Sequence, residues 1–351
     1  MVKININKEL EEELLSLVKN REKKIPWNKS KELDKFIDSS LSENTAHGYT
    51  YDWKEFVTWC EVNKKPSLPA SYDTIGEYLK HLSKISSPQT KQPYKQSTIK
   101  RKLYAIVKHQ RKNGYGVDTQ IPYITDVLKT IATDKGVKQN SSDPLSKVEI
   151  RTIIDSINID KKSKINSQIR DKALILLGFI TGMRRSELVD LNRFDVETRI
   201  EGIVINIKKS KTDQKGYGRE IAITPSSSNK YCPVFHINEL IEMMDGKEKN
   251  LQQNYPLFVS IDKSGDIKKK SRLSDKSVAL ILQKRAKTAG IFNKNIAGHS
   301  LRRGMISAAH KEKASYKQIM KSSGHRSADM VNRYIADEDL FKDTISEKLD
   351  I

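Results

Sequence analysis

The stretch RIEGIVINIKKSKTDQKGYGREIAITP, residues 199–225, changes period within a chain that otherwise reads as helical. Ile203, Ile205 and Ile207 alternate, and Ile221 and Ile223 alternate after them, which is the spacing of strands. The polar segment between them contains Gly216 and Gly218 and carries Lys211 near its start. The pattern predicts two strands joined by a loop, a small antiparallel sheet in a mainly α chain. A lysine on such a hairpin is ordinarily a solubilising surface residue. On a loop that moves, it can also swing into a substrate.

Working outward from this hairpin, helical spacing dominates. Toward the N-terminus, LSKVEIRTIIDSI and SQIRDKALILLGFIT read as helices, the second apolar enough to be buried. Toward the C-terminus, helices are expected over 236–245, 274–289, 300–310, 315–322 and 328–349. A separate helical region spans about 43–132. Its first helix carries Ala46, Tyr49, Trp53, Phe56, Val57 and Cys60 at helical spacing, and Pro66 and Pro69 end it. Ser71 or Asp73 can cap the second helix. The third has Ile99, Leu103, Ile106 and Val107 on one face and Lys100, Lys108, Arg111 and Lys112 on another. Residues 1–25 form a charged extension, and the polar segment 134–144 reads as a linker. Two domains follow, 26–133 and 145–335, with a tail at 336–351.

Composition narrows the chemistry. The 351 residues hold 64 Lys+Arg against 44 Asp+Glu, a formal net charge of +20. That excess favours a polyanionic partner through long-range attraction and counterion release. The basic residues are spread along the chain, which argues against an acidic membrane surface as the target. Only two cysteines occur, Cys60 and Cys232, far apart. They support neither a disulfide framework nor a cysteine-built zinc site, and they fit a reducing, cytoplasmic setting. No stretch approaches the roughly 20 apolar residues of a membrane span. Acids occupy the N-terminal positions where a secretory leader would be apolar.

Four short boxes could carry chemistry. TGMRRSELVDL, residues 181–191, places Arg184 and Glu187 three apart, on one helical face. GHSLRRG, 298–304, places His299 and Arg302 three apart at a helix start that Ser300 can cap, where the positive helix end suits an anion. SSGHRSADMVNRY, 322–334, sets His325 nine positions before Tyr334. On one continuous helix that gap would put them on opposite faces. Gly324 and Ser327 predict instead that a new helix begins after His325. The fourth box is the hairpin with Lys211. Read singly, each has an ordinary explanation: a surface ion pair, a surface histidine, a packed tyrosine.

Taken in order, Arg184, Glu187, Lys211, His299, Arg302, His325 and Tyr334 form a set that resembles the tyrosine recombinase, or phage integrase, family, with a Cre/Xer-like two-domain layout. The Gly-X-Arg of TGMRR favours Arg184 over its neighbour Arg185. The extension before the first domain helix is too short for the additional arm-binding domain of lambda-type members. The resemblance implies an all-helical, SAM-like core-binding domain plus a mixed, mostly α catalytic domain, together forming a C-shaped clamp on DNA. It implies Tyr334 as nucleophile, Arg184 and Arg302 gripping the phosphate, His299 in proton transfer, His325 bonding a non-bridging oxygen, Lys211 as general acid and Glu187 in support. Strand exchange would proceed through a 3′-phosphotyrosyl link and a Holliday junction, with no cofactor, metal or ATP. The partner would be double-stranded DNA with a specific recombination site. The protein would be a monomer in solution and a homotetramer on synapsed DNA, with the tail helix docked between protomers. Lys100, Lys108, Arg111 and Lys112 are the expected DNA contacts of the first domain. Competing readings are a non-catalytic or type IB topoisomerase-like relative on the same fold, and a metal-dependent nuclease using His299, His325 and Glu187.

Overall fold

The computed structural model describes residues 43–135, 142–208, 218–246, 253–335 and 345, except for the side chains of 43, 44, 269 and 270. The expected N-terminal extension, Lys211 and nearly all of the tail lie outside the described residues. The chain divides into two compact units between Gln139 and Asn140.

The described part of the first unit is all helical: α1 (Glu43–Val62), α2 (Tyr72–Lys84), α3 (Gln96–Lys112) and α4 (Pro122–Lys135). Ser71 caps α2, its hydroxyl accepting the Thr74 N–H at 3.1 Å. The helices close over Phe56, Ile75, Tyr78, Leu79, Leu82, Ile99, Leu103, Ile106 and Ile124. These positions recur every three or four residues, so each helix turns one apolar stripe inward. Lys102 also turns inward from α3 and is 2% exposed. Glu55 at 2.7 Å and Asp52 at 3.2 Å neutralise it there. The other face of α3 exposes Lys100, Arg111 and Lys112 and half-exposes Lys108.

The second unit surrounds α6 (Ile165–Thr181), whose segment Ala173–Leu177 is buried on all sides. Before it comes α5 (Lys147–Ile159), opened by a capping box between Ser146 and Glu149. After it come α7 (Arg185–Asp190) and a three-stranded antiparallel sheet in the order β1 (Val196–Arg199), β2 (Gly202–Ile207), β3 (Arg219–Ile223). Central β2 pairs Ile205 with both Val196 and Ile221. Thus the two expected strands are present, with a third before them. After β3 come α8 (Pro233–Asp245), α9 (Asp275–Thr288), α10 (Ser300–Lys311) and α11 (Tyr316–Ser323). The last described helix is α12 (Ala328–Ile335). An antiparallel pair, β4 (Val259–Ile261) with β5 (Ile267–Arg272), separates α8 from α9. The architecture is mainly α with small antiparallel sheets. Among the described residues no helix is long and apolar enough to cross a membrane.

Inside this unit a charged network ties helices together. Arg285 of α9 is 1% exposed and donates to Asp171 at 2.8 Å, Asp160 at 2.9 Å and Ser163 at 2.7 Å. Asp171 also accepts from Arg170 at 2.7 Å. Every charge in it has a partner, as burial requires.

Candidate active site

Two helix ends prepare the site. Helix α6 stops at Gly182 and α11 stops at Gly324, each in the left-handed region, with φ of 59° and 69°. Glycine takes that conformation without strain and commonly terminates helices with it. A helix end leaves carbonyls without intrahelical donors. Arg302, on the first turn of α10, supplies donors to both ends: Nη1 donates to Gly182 O at 2.6 Å and to Ser323 O at 2.5 Å. Its Nη2 donates to His325 Nε2 at 2.7 Å. Arg302 is 1% exposed, and burial, then the nearby Arg184, lowers its pKa to about 10. It therefore stays charged at neutral pH.

His325 lies in the turn between α11 and α12, as the Gly324 and Ser327 signals predicted. The Ser327 hydroxyl accepts the Met330 N–H at 3.4 Å at the start of α12. Tyr334 sits nearly two turns into α12, half-buried, with its ring centroid 5.3 Å from that of His325. The Arg303 guanidinium lies 5.4 Å from the Tyr334 ring centroid. His325 is buried, and desolvation followed by the charge of Arg302 pushes its pKa down to about 3.

Arg184 precedes α7, and its Nη1 donates to Glu187 Oε1 at 2.6 Å. Glu187 Oε2 accepts the Arg184 backbone N–H at 3.2 Å. The adjacent Arg185 pairs with Asp275 at 3.1 Å and is more exposed. Glu187 is 4% exposed and has a second cationic partner: Arg219, the first residue of β3, donates to its Oε2 at 2.9 Å. Sequence reasoning missed Arg219. Its guanidinium lies where a side chain on Gly324 would have to be.

His299 occupies the N-cap of α10 and makes no capping bond. The expected cap at Ser300 is therefore corrected. Ser300 is the first helical residue, and its hydroxyl instead accepts the Ala297 N–H at 3.0 Å, closing the preceding turn. His299 has an open edge to solvent but is backed by protein. Desolvation, then Arg302, Arg185, Arg184 and Arg303, lowers its pKa. The shift favours the neutral ring.

The structure thus brings together Arg184, Glu187, His299, Arg302, His325 and Tyr334. The cationic cluster suits a phosphate, because guanidinium groups bind its oxygens in pairs and cannot lose charge. No group of three or more His, Cys, Asp or Glu side chains with metal-binding geometry occurs among the described residues.

Residues 144–340 match the sequence model of the phage integrase family. An integrase/recombinase xerD homolog from Selenomonas ruminantium is 30% identical over 316 residues, covering 89% of this chain and 87% of the relative. The tyrosine recombinase XerA of Pyrococcus horikoshii is 23% identical, covering 87% and 91%. Two solved structures share the fold. One is the XerH recombinase bound to a palindromic difH substrate in a post-cleavage complex (TM-score 0.53, 20% identity, covering 80% of this chain and 70% of that one). The other is a lambda integrase dimer bound to a core site (TM-score 0.55, 16% identity, covering 96% and 88%).

Proposed function

The chain belongs to the phage integrase family of tyrosine recombinases, and on that premise we propose that it is a site-specific DNA recombinase with Tyr334 as its nucleophile. The Tyr334 oxygen attacks the scissile phosphorus, and the bond to the 5′ oxygen breaks. The products are a 3′-phosphotyrosyl ester and a 5′ hydroxyl. One phosphoester replaces another, so a hydroxyl from a second strand reverses the step without ATP. The phenol, with an ordinary pKa of about 10, must shed its proton during attack. His299, its neutral form favoured, accepts it. Arg184 and Arg302 stabilise the charge developing on the phosphorane, the largest catalytic contribution. Lys211 protonates the leaving 5′ oxygen, and Glu187 orients Arg184.

Four copies act on two synapsed sites through a Holliday junction, with the 336–351 tail of each copy docking on its neighbour. The 26–133 unit binds DNA through Lys100, Lys108, Arg111 and Lys112, and the 145–335 unit performs the chemistry. Phosphate contacts of this kind set affinity and register, while sequence is read at base edges.

The observation that carries this reading is the meeting of Arg302, His325 and Tyr334, which come from three different elements. The test is a nicked duplex that traps the covalent intermediate. Wild-type protein should form a protein–DNA adduct resistant to denaturant and indifferent to EDTA. Tyr334→Phe should bind the same duplex and form none. An adduct persisting in that variant would overturn the assignment. Binding without any adduct in the wild type would favour the non-catalytic relative.

A further inference from the structure

Ser323, the last residue of α11, is fully buried beside the candidate site. Its hydroxyl oxygen lies 2.6 Å from the Ile319 carbonyl and 2.8 Å from His325 Nδ1. On the other side of the ring, His325 Nε2 lies 2.7 Å from Arg302 Nη2. We propose that Ser323 is a positioning residue that, together with Arg302, sets the tautomer of His325, and so whether this ring offers a lone pair to Arg302 or an N–H to the scissile phosphate. The inference rests on reading the site as that of a recombinase.

The two ends of this hydrogen-bonded chain fix its direction. A guanidinium only donates, and a backbone carbonyl only accepts. Arg302 therefore donates to Nε2, which carries the lone pair. Nδ1 then holds the ring proton and donates it to the Ser323 oxygen. The single Ser323 hydrogen goes to Ile319 O. In this setting His325 cannot donate to a phosphate oxygen, because its outward nitrogen has no hydrogen.

The chemistry assigned to His325 needs the other setting. Adding a second proton to the ring is opposed by burial and by Arg302, Arg184 and Arg219. A neutral tautomer change avoids that cost. Ser323 rotates its hydrogen from Ile319 O to Nδ1, the ring proton leaves Nδ1 for solvent water, and solvent water supplies one to Nε2. The proton count is unchanged. The Ile319 carbonyl retains its place in the helix ladder, so release of the hydroxyl strands no buried acceptor. An incoming phosphate supplies the drive: it takes Arg302 as a donor and then faces an Nε2–H. A hydroxyl can serve both settings because it both donates and accepts. An aliphatic side chain at this position could serve neither.

The test uses the full chain with nitrogen-15 histidine, the His325 signals being identified by their loss in His325→Gln. At neutral pH the free wild-type protein should show a protonated Nδ1 and an unprotonated Nε2. Ser323→Ala should shift the population toward Nε2–H, and Ser323→Thr, which keeps the hydroxyl, should restore the wild-type pattern. On a nicked duplex, Ser323→Ala should lose about tenfold in adduct formation, the worth of one hydrogen bond, with DNA binding unchanged. A wild-type His325 protonated at Nε2, or a Ser323→Ala pattern identical to wild type, would overturn the proposal. The wild-type spectrum decides even where a variant does not fold. Should the tautomer respond while no protein forms an adduct, the recombinase reading fails and the Ser323–His325 relation stands.

Discussion

Arg219 and Glu187 meet at 2.9 Å across 32 positions of sequence, and through that contact the first residue of β3 holds the carboxylate that grips Arg184. The β2–β3 pair, between whose strands Lys211 falls in sequence, is thereby joined to the candidate phosphate clamp. Arg219→Ala removes one charge-assisted bond, worth about 1.5–3 kcal/mol. If Arg184 must be held still to act, adduct formation should fall roughly 10–100-fold. DNA affinity, measured by gel shift, should stay within about twofold, because the rest of the positive surface is intact. Equal losses in binding and cleavage would show that Arg219 acts only as one more cation.

The buried His325 makes stability depend on pH. Its pKa falls from an ordinary 6.5 to about 3 on folding. The unfolded chain takes up a proton near pH 6.5 that the folded chain refuses until near pH 3. Stability is therefore full above the unfolded pKa and declines as pH drops between the two values. From about pH 7.5 to about pH 5.5 one such histidine removes about 1.4 kcal/mol. Urea unfolding of wild type and His325→Gln at both pH values should show a loss larger by that amount in the wild type.

The basic face of α3 gives a salt-dependence test. Each phosphate contact contributes about 0.9 to the slope of log affinity against log salt. Lys108→Gln with Arg111→Gln should therefore reduce the slope by about 2 and weaken binding to specific and unrelated duplexes alike. Loss of specificity at one base pair would instead mark these residues as base readers.

Arg285 is placed for structure, since it is buried among Asp171, Asp160 and Ser163. Arg285→Met would leave buried carboxylates short of a partner, at about 3–5 kcal/mol. The urea midpoint of the catalytic unit should drop accordingly. An unchanged midpoint would mean that Arg170 alone satisfies Asp171.

The helices were legible because their apolar residues recur at helical spacing, as in Phe56, Ile75, Leu79 and Leu103. The β2–β3 pair was legible from Ile203, Ile205, Ile207, Ile221 and Ile223. Strand β1 was not, because only Val196 of its four residues is buried and no alternation results. Strand β5, with sequence IKKKSR, reads as a charged loop, and its pairing with β4 supplies the order its side chains do not advertise. In the site, spacing separated His325 from Tyr334 onto a turn and a helix, as found. Arg219 and Ser323 carried no local signal. Each acts through a partner that tertiary folding brings to it, and one arginine at a strand start or one serine at a helix end is ordinary in sequence.

Arg302 is the common donor for the chain ends at Gly182 and Ser323, and this sets a division of labour within the site. Tyr334 is dispensable to the architecture: its hydroxyl can be deleted while its ring stays in place. Arg302 is not, for its removal would leave two helix termini without their shared donor. A derivative meant to hold DNA without cutting it should therefore surrender the tyrosine and keep the arginine.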